Sequence, residues 1–160
     1  MVNTKEKNPW ALILGGSSGL GLASAKKLSA HGYDIIIVHR NPRHQLPELE
    51  EAFETIRANG VQCLTFNIDA TNSEKRTALI AQIPEVIGTR GKIHMMVHSL
   101  AKGNLKPMVS KNDEHTLEHT DFSLTIDAMA ISLYDWTKEL YEADLFAGDS
   151  RVISFTSEGN

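Results

Sequence analysis

One glycine-rich stretch near the start of the chain decides the fold: Leu14-Gly15-Gly16-Ser17-Ser18-Gly19-Leu20-Gly21. It separates an apolar run at residues 10–14 from an amphipathic segment at residues 20–30. A glycine-rich turn between a strand and a helix lets backbone N–H groups approach a diphosphate, and the helix N-terminus adds a favourable dipole. The spacing therefore predicts a phosphate-binding turn; a strand-to-helix turn that merely needs glycine is the alternative.

Three glycines of this stretch have separate predicted roles. Gly15 makes the tight turn, Gly19 allows a ligand to approach the backbone, and Gly21 lets the helix pack against the sheet. The turn should lie at the carboxyl end of the first strand, where open α/β sheets bind their ligands.

The rest of the chain alternates short apolar runs with longer amphipathic segments. This alternation is typical of βαβ units and a parallel sheet. It predicts strands at residues 10–14, 34–39, 62–66, 92–98 and 151–155, and helices at residues 20–30, 46–58, 73–87 and 122–145. We expect one domain over residues 1–160: a doubly wound α/β fold of the Rossmann type, with three αβα layers and strand order 3-2-1-4-5.

Composition limits the classes of protein to which the chain can belong. Its 160 residues are 41% hydrophobic and carry a net charge of -4, which predicts a folded soluble domain that does not bind nucleic acid. No apolar run approaches the roughly 20 residues that span a bilayer. The single cysteine, Cys63, forms no internal disulfide and fits a cytoplasmic location.

Two segments depart from the alternation. Residues 101–121 contain glycine, proline, several charges and two histidines, and are predicted to form a loop over the carboxyl end of the sheet. The sequence stops shortly after the fifth strand, without a helix to cover that strand. An open sheet edge is an aggregation liability, so we expect the protein to continue beyond residue 160 with a C-terminal part.

Four landmarks along the chain resemble the short-chain dehydrogenase/reductase family. They are the Gly-x-x-x-Gly-x-Gly turn, Ile68-Asp69-Ala70, Val97-His98-Ser99-Leu100-Ala101 and Ser154-Phe155-Thr156-Ser157, in that order. The resemblance implies that Asp69 binds the adenine amine, that Leu100 and Ala101 line the cofactor, and that the Ser157 hydroxyl faces the substrate. The cofactor-binding residues expected on this basis are Gly15, Ser17, Ser18, Gly19, Leu20, Gly21, Arg40, Asp69, Ala70, Ser99, Leu100 and Ala101.

The end of the second strand indicates which nicotinamide cofactor is bound. NAD sites place an acid about 20 residues beyond the glycines, and NADP sites place a basic residue there. Here the strand ends in Val38-His39-Arg40-Asn41, and Asp34 lies at its opposite end. We therefore expect Arg40, aided by Arg43 and the Ser17 or Ser18 hydroxyl, to bind the 2′-phosphate of NADPH. NADH remains possible, because both arginines could be solvated surface cations.

The fourth strand indicates the branch of the family. His98-Ser99-Leu100-Ala101 stands where the carbonyl-reducing branch has Asn-Asn-Ala-Gly, and it resembles the enoyl-acyl-carrier-protein reductases of fatty acid biosynthesis. Asp127 matches the asparagine of the family's proton relay. The resemblance implies hydride transfer to the β-carbon of an enoyl thioester, with acyl carrier protein as a candidate carrier of the acyl chain. It also implies a tyrosine and a lysine on the helix after the fifth strand. A ketone or aldehyde reductase, or a non-catalytic dinucleotide-binding fragment, is the alternative.

Two further motifs imitate catalytic patterns. Tyr134 and Lys138 match the family's Tyr-x-x-x-Lys spacing but precede the fifth strand, on a helix that the family uses in homodimers or homotetramers. His115 and His119 fit the zinc-binding H-x-x-E-H pattern, which requires both imidazoles on one helix face, and no third ligand is evident. We expect neither Tyr134 to be catalytic nor a metal to bind.

Overall fold

The computed structural model describes residues 8–111 and 115–156. Its elements, in chain order, are β1 Trp10–Leu14, α1 Gly19–Ser29, β2 Asp34–His39, α2 Leu46–Arg57, β3 Cys63–Asn67, α3 Ser73–Ile87, β4 Ile93–His98, α4 His119–Ile126, a π-helical segment Asp127–Ile131, α5 Ser132–Glu142 and β5 Phe146–Ser154. A short 3₁₀ turn, Arg43–Gln45, precedes α2.

The five strands form one parallel sheet in the order β3-β2-β1-β4-β5, as the sequence predicts. Leu14 at the end of β1 pairs with Val38 of β2 on one side and with His98 of β4 on the other. Because parallel strands end at the same edge, the residues that follow β1, β2 and β4 are brought together there.

Alternate strand residues build two separate cores. Leu12 and Ile36 pack on one face of the sheet with α3 and α5, including Trp136, whereas Ile13 and Ile37 pack on the other face with α1 and α2. Successive side chains of a strand point to opposite faces, so a strand covered on both sides reads as a continuous apolar run. The layers are therefore αβα, as predicted.

Several predicted helix ends are also observed. Gly32 and Gly60 follow α1 and α2 with φ values of +83° and +78°. The Asn72 side chain accepts a hydrogen bond from the Lys75 N–H, at 2.9 Å, and caps the start of α3. These residues stop and start the helices by satisfying terminal backbone groups.

The long helix predicted at residues 122–145 is wrong in three respects. Glu118 and Asp121 form a capping box, so α4 begins at His119, before the apolar stripe. A π-helical segment separates α4 from α5, and α5 ends at Glu142. The turn after α5 contains Asp144 with a φ of +53°. Capping geometry and a local change of helix type leave little trace in hydrophobic periodicity.

The last strand also departs from the prediction at residues 151–155. β5 begins at Phe146, and its register against β4 shifts between Ile93 and Met95, which pair with Phe146 and Arg151. The four residues between Phe146 and Arg151, Ala-Gly-Asp-Ser, form an irregularity that conceals the first half of the strand. Most of β5 is exposed, in keeping with a sequence that stops before a helix that could cover that strand.

Candidate active site

The glycine-rich turn closes against the end of β4. Gly15 has a φ of +80°, and a Cβ there would overlap the Ser99 carbonyl oxygen. A Cβ at Gly21 would overlap the Gly15 carbonyl oxygen, so Gly21 lets α1 pack on the turn itself rather than on the sheet. No side chain fits either position without movement of the backbone.

Hydrogen bonds within the turn determine which amides can face a ligand. The N–H groups of Gly15 and Gly16 donate to the Val38 carbonyl at 2.8 and 3.3 Å, which ties the turn to β2. The amides of the first turn of α1 have no acceptor within that helix. Gly19 begins α1 with a φ of +53° and open space around the place of a Cβ. Ser18 occupies the N-cap, and its hydroxyl makes no capping bond. The amides without an intrahelical acceptor therefore lie in the first turn of α1, at the end of the glycine-rich turn.

A cleft of about 140 Å³ lies at the carboxyl ends of β1 to β4. It brings together six of the residues predicted to bind the cofactor: Gly15, Arg40, Asp69, Ala70, Leu100 and Ala101. The Trp136 indole N–H donates to the Ala70 carbonyl at 2.9 Å and fixes the wall of the cleft to α5. Asp34 lies at the other end of β2, where its Oδ1 accepts a hydrogen bond from the backbone N–H of Gln62 at 2.8 Å. It is therefore remote from the cleft, as predicted.

Not every residue predicted to bind the cofactor lines this cleft. Ser17 and Ser99 are half-buried beside it, and Ser18 is exposed on the turn. The Leu20 side chain lines an apolar groove between α1 and β5 instead. A cofactor contact of Leu20 would therefore involve its backbone, since the side chain leaves the turn on the opposite side.

Arg40 and Asp69 form an ion pair at the rim of the cleft. Arg40 Nη1 lies 2.7 Å from Asp69 Oδ2. Asp69 Oδ1 accepts from the Thr71 hydroxyl at 2.7 Å and from the Thr71 N–H at 3.0 Å. These Thr71 bonds are the main cause of a lowered pKa at Asp69, and the charge of Arg40 adds to it. The carboxylate is therefore ionised and fixed by the turn that follows β3.

His98 is buried at the end of β4, with 1% of its surface exposed. Its Nε2 lies 2.7 Å from the Ser132 hydroxyl, which donates to the Ala128 carbonyl at 2.8 Å. Because the single Ser132 proton is used on Ala128, His98 Nε2 is the donor in its bond to Ser132. His98 Nδ1 has no partner among the described residues, and burial lowers the pKa of the imidazole. A neutral histidine thus anchors the π-helical segment to the sheet.

The two residues predicted to act on the substrate are not seen together. Asp127 begins the π-helical segment and is exposed, lining a second depression with Thr71, Lys102 and Asp135. Ser157 lies outside the described residues. Ser154, the last residue of β5, pairs with His98, so the chain leaves the sheet beside the buried histidine.

Tyr134 and Lys138 lie on the outer surface of α5. Tyr134 is 63% exposed, and the groove that it lines with Tyr141 and Val152 shares no residue with the cleft. The Tyr-x-x-x-Lys spacing before β5 is therefore directed away from the cleft.

The histidine pair of the H-x-x-E-H pattern does not lie on one helix. His115 is in the coil before α4, and His119 is the first residue of α4. Over residues 8–111 and 115–156, no group of three or more histidine, cysteine, aspartate or glutamate residues is placed to hold a metal ion. The sequence spacing thus does not translate into a ligand set in this part of the chain.

A buried carboxylate holds the loop that follows β4. Asp121 Oδ2 accepts from the Glu118 N–H at 2.8 Å and from Lys106 Nζ at 2.9 Å, and Asn104 donates to Oδ1. These bonds, led by that of Glu118, lower the pKa of Asp121 to about 2. Asp121 therefore fastens the loop across the start of α4.

Sequence reasoning missed the residues that support the site rather than line it. Thr71 orients Asp69, Ser132 holds His98, and Asp121 fastens the loop. The Asp-x-Thr spacing of residues 69–71 is a local signal for a side-chain turn and could have identified Thr71. Ser132 and His98 are 34 residues apart, and no local pattern links them.

Comparison with known proteins places the chain in context. A family model described as short chain dehydrogenase matches residues 9–159. A tropinone reductase homolog from Arabidopsis thaliana is 30% identical over 149 residues, covering 92% of this chain and 50% of that protein. A peroxisomal 2,4-dienoyl-CoA reductase from Danio rerio is 26% identical over 133 residues, covering 82% and 40%. The chain thus spans half or less of the length of these relatives.

Solved structures share the fold. A 3-oxoacyl-[acyl-carrier protein] reductase from Brucella melitensis aligns with a TM-score of 0.72 and 22% identity over 93% of this chain and 57% of its own. A metagenomic short-chain oxidoreductase in complex with NADP gives a TM-score of 0.75 and 20% identity over 94% and 63%. A 3-oxoacyl-[acyl-carrier protein] reductase from Brucella melitensis in complex with NAD aligns with a TM-score of 0.70 and 22% identity over 93% of this chain and 55% of its own. In the part of this chain that the structure describes, no helix combines the length and apolar character needed to cross a membrane.

Proposed function

The chain belongs to the short-chain dehydrogenase family, and we propose that it forms the cofactor-binding part of an NADPH-dependent oxidoreductase that reduces an enoyl thioester. The observation that carries the cofactor proposal is the cleft at the carboxyl ends of β1 to β4. There the glycine-rich turn, Arg40 and Asp69 converge from three different strands. Such convergence is typical of a dinucleotide site in a doubly wound sheet.

The residues of the cleft and of the adjoining glycine-rich turn match the parts of a dinucleotide. The amides of the first turn of α1 would bind the diphosphate, with the Ser17 and Ser18 hydroxyls beside them. Asp69 would accept from the adenine amine, and Leu100 and Ala101 would line the cofactor. Arg40 would bind the 2′-phosphate, which favours NADPH over NADH by about tenfold if one charge-assisted hydrogen bond is gained. The bound dinucleotide would supply a hydride.

Two observations support an enoyl thioester as the substrate. His98-Ser99-Leu100-Ala101 follows the pattern of the enoyl reductase branch. One relative is named as a 2,4-dienoyl-CoA reductase that produces (3E)-enoyl-CoA. The tropinone reductase homolog, whose name points to a different substrate class, favours carbonyl reduction as the second candidate. On either chemistry, we propose that Ser157 faces the substrate, that Asp127 takes part in proton transfer, and that the tyrosine and lysine come from a helix after β5.

A matched pair of thioesters tests this proposal. Crotonyl-CoA and acetoacetyl-CoA have acyl chains of equal length and differ in whether the β-carbon belongs to an alkene or a ketone. With the whole protein, we expect NADPH oxidation at 340 nm, the wavelength at which the reduced nicotinamide absorbs, to be at least about tenfold faster with crotonyl-CoA, a difference of about 1.4 kcal/mol in activation free energy. Faster turnover of acetoacetyl-CoA would make it a carbonyl reductase, and no turnover of either would favour a non-catalytic dinucleotide-binding module.

We also propose a homodimer or homotetramer in the cytoplasm. Phe122, Ile126 and Tyr141 are exposed apolar side chains of α4 and α5, and burial against a second copy would remove them from water. The thiol of Cys63 is buried and burial raises its pKa to about 11, so it is protected from oxidation by its position. Light scattering on the whole protein tests the oligomer, and a monomer at micromolar concentration would contradict it.

A further inference from the structure

We propose that Asp69 is a specificity-determining residue, because its carboxylate competes with the 2′-phosphate of the cofactor for the Arg40 guanidinium. The inference rests on the proposed cofactor binding. Arg40 Nη1 lies 2.7 Å from Asp69 Oδ2, and both side chains line the same cleft. A nucleotide phosphate that binds Arg40 through Nη1 must therefore replace the carboxylate as the partner of that nitrogen. The preference for a 2′-phosphate is then set by a pair of residues and not by Arg40 alone.

The carboxylate is positioned independently of Arg40. Its two oxygens are divided between two partners, since Oδ1 accepts both Thr71 bonds and Oδ2 faces Arg40. The Thr71 hydroxyl and amide fix the carboxylate on the turn after β3, whereas the guanidinium stands at the end of a flexible side chain. Arg40 is thus the partner that can move to a phosphate. Asp69 stays in place and binds Arg40 again when the phosphate leaves.

Exposure of the pair makes the exchange feasible. The Arg40 side chain is 67% exposed and that of Asp69 is 30% exposed. Exposed ion pairs are weak because water screens the charges and the side chains lose freedom. A phosphate carries more charge than a carboxylate and offers more oxygens to a guanidinium. Within the described residues, Asp69 is the one side-chain acceptor bonded by Arg40. The 2′-phosphate should therefore displace Asp69 with only a severalfold loss of affinity.

Lys102 is a second cation that faces this pair. It lines the cleft, and its charge contributes to the lowered pKa of Asp69. It has no bond to Asp69, so its attraction for a phosphate should not depend on whether that carboxylate is present. Competition and simple repulsion can be separated on this basis. Competition requires Arg40, whereas repulsion of the phosphate by Asp69 does not.

Two nucleotides isolate the 2′-phosphate from the rest of the cofactor. Adenosine 2′,5′-bisphosphate and 5′-AMP differ only in that group, and their dissociation constants would be measured by calorimetry on the full chain. The measured quantity is the ratio of the 5′-AMP constant to the bisphosphate constant. Asp69→Asn keeps one oxygen for the two Thr71 bonds but removes the charge, and any lost contact with the adenine amine affects both nucleotides alike. We expect it to raise the ratio about three- to fivefold, the equivalent of one exposed ion pair.

The matched variants complete a double-mutant cycle. Arg40→Gln should lower the ratio to the value that Lys102 alone sustains, and adding Asp69→Asn to Arg40→Gln should change it no further. Thr71→Val keeps the charge of Asp69 but loses one of its anchoring bonds, so its ratio should lie between wild type and Asp69→Asn. Circular dichroism and unfolding midpoints establish that each variant is folded.

The outcomes distinguish this inference from the proposed function. An unchanged ratio in folded Asp69→Asn, a Thr71→Val ratio outside the stated interval, or the same rise in the Arg40→Gln background would overturn the competition. If both nucleotides bind wild type but the ratio does not respond to Arg40→Gln, the inference fails while dinucleotide binding stands. If neither nucleotide binds, the proposed cofactor binding fails with it.

Discussion

The centre of the sheet and its β5 edge are built differently. Every residue of β1 and β2 is buried, and their side chains alternate between two apolar cores. β5 is mostly exposed, and its pairing with β4 contains a register shift. The cleft lies over the central strands, where two packed layers hold the backbone in place. The cofactor-binding part of the site therefore lies on strands that are packed on both faces. Because β5 is mostly exposed, substitutions in β5 should cost less stability.

Substitution of Gly15, in the glycine-rich turn above the central strands, should have the largest effect on stability and on nucleotide binding. Gly15 and Gly32 have nearly equal φ values of +80° and +83°, but only at Gly15 would a Cβ overlap backbone, the Ser99 carbonyl. Gly32→Ala should cost about 1–2 kcal/mol for the left-handed conformation alone. Gly15→Ala should cost more than about 3 kcal/mol and abolish nucleotide binding. Urea unfolding and calorimetry measure both, and equal losses of stability would contradict the steric argument.

Truncation of one isoleucine in each region compares the two directly. Ile36 of β2 is fully buried, whereas Ile153 of β5 is 40% exposed. Ile36→Ala should lower the free energy of unfolding by about 2–5 kcal/mol, because it leaves a cavity. Ile153→Ala should cost less than about 1 kcal/mol, because its environment can relax into solvent. Comparable costs would mean that β5 is as tightly packed as the centre.

The buried histidine at the junction of the two regions should give an intermediate effect. Ser132→Ala leaves the Nε2 donor of His98 without its partner and should cost about 1–3 kcal/mol. Thr137→Ala is the matched control, since the Thr137 hydroxyl makes the same kind of bond to the Leu133 carbonyl but holds no histidine. The control should cost clearly less in urea unfolding. A larger loss in Thr137→Ala would contradict the anchoring role of His98.

The same histidine should make stability depend on pH. Burial lowers the pKa of His98 in the folded state, and also that of His39. The unfolded chain therefore binds protons first as the pH falls below about 6.5, and stability declines by up to about 1.4 kcal/mol per pH unit for each histidine. Above that pH the contribution is constant. His98→Gln should flatten the decline measured by urea unfolding between pH 7.5 and 5.5. If stability falls as steeply in His98→Gln as in wild type, the pH dependence arises from His39 and other groups.

The smallest effect is expected on the outer surface beside β5. Tyr134 is exposed and lines none of the cleft, so Tyr134→Phe should change stability by less than about 0.5 kcal/mol and leave NADPH affinity unchanged. Calorimetry with NADPH measures the second point. Loss of NADPH binding in Tyr134→Phe would show that the outer surface of α5 affects the cofactor affinity of the cleft.

The sequence predicts the centre better than the edge, for a physical reason. The bounds of β1 and β2 match residues 10–14 and 34–39, because burial on both faces produces uninterrupted apolar runs. β5 begins five residues before its predicted start, because its pairing with β4 passes through a polar irregularity. The order of the strands follows from the right-handed crossovers that connect parallel strands, and it does not depend on where β5 begins.

The site divides in the same way. Local patterns point to the glycine-rich turn, Arg40 and Asp69, which each follow a strand at the same edge of the sheet. The Arg40–Asp69 pair and the His98–Ser132 bond join residues 29 and 34 positions apart, and depend on side-chain geometry that no spacing encodes. Hydrophobic periodicity does not predict the π-helical segment either, because that segment also depends on a side-chain contact, the bond of Ser132 to His98.

Hydrogen–deuterium exchange with and without NADPH tests the central claim most directly, since it reports backbone amides in both regions at once. If the glycine-rich turn and the first turn of α1 bind the cofactor, amide exchange over residues 15–22 should slow on addition of NADPH. Exchange along the outer surface of α5 and along β5 should stay the same. Unchanged exchange at the turn under saturating NADPH, or protection confined to α5 and β5, would contradict the proposed site.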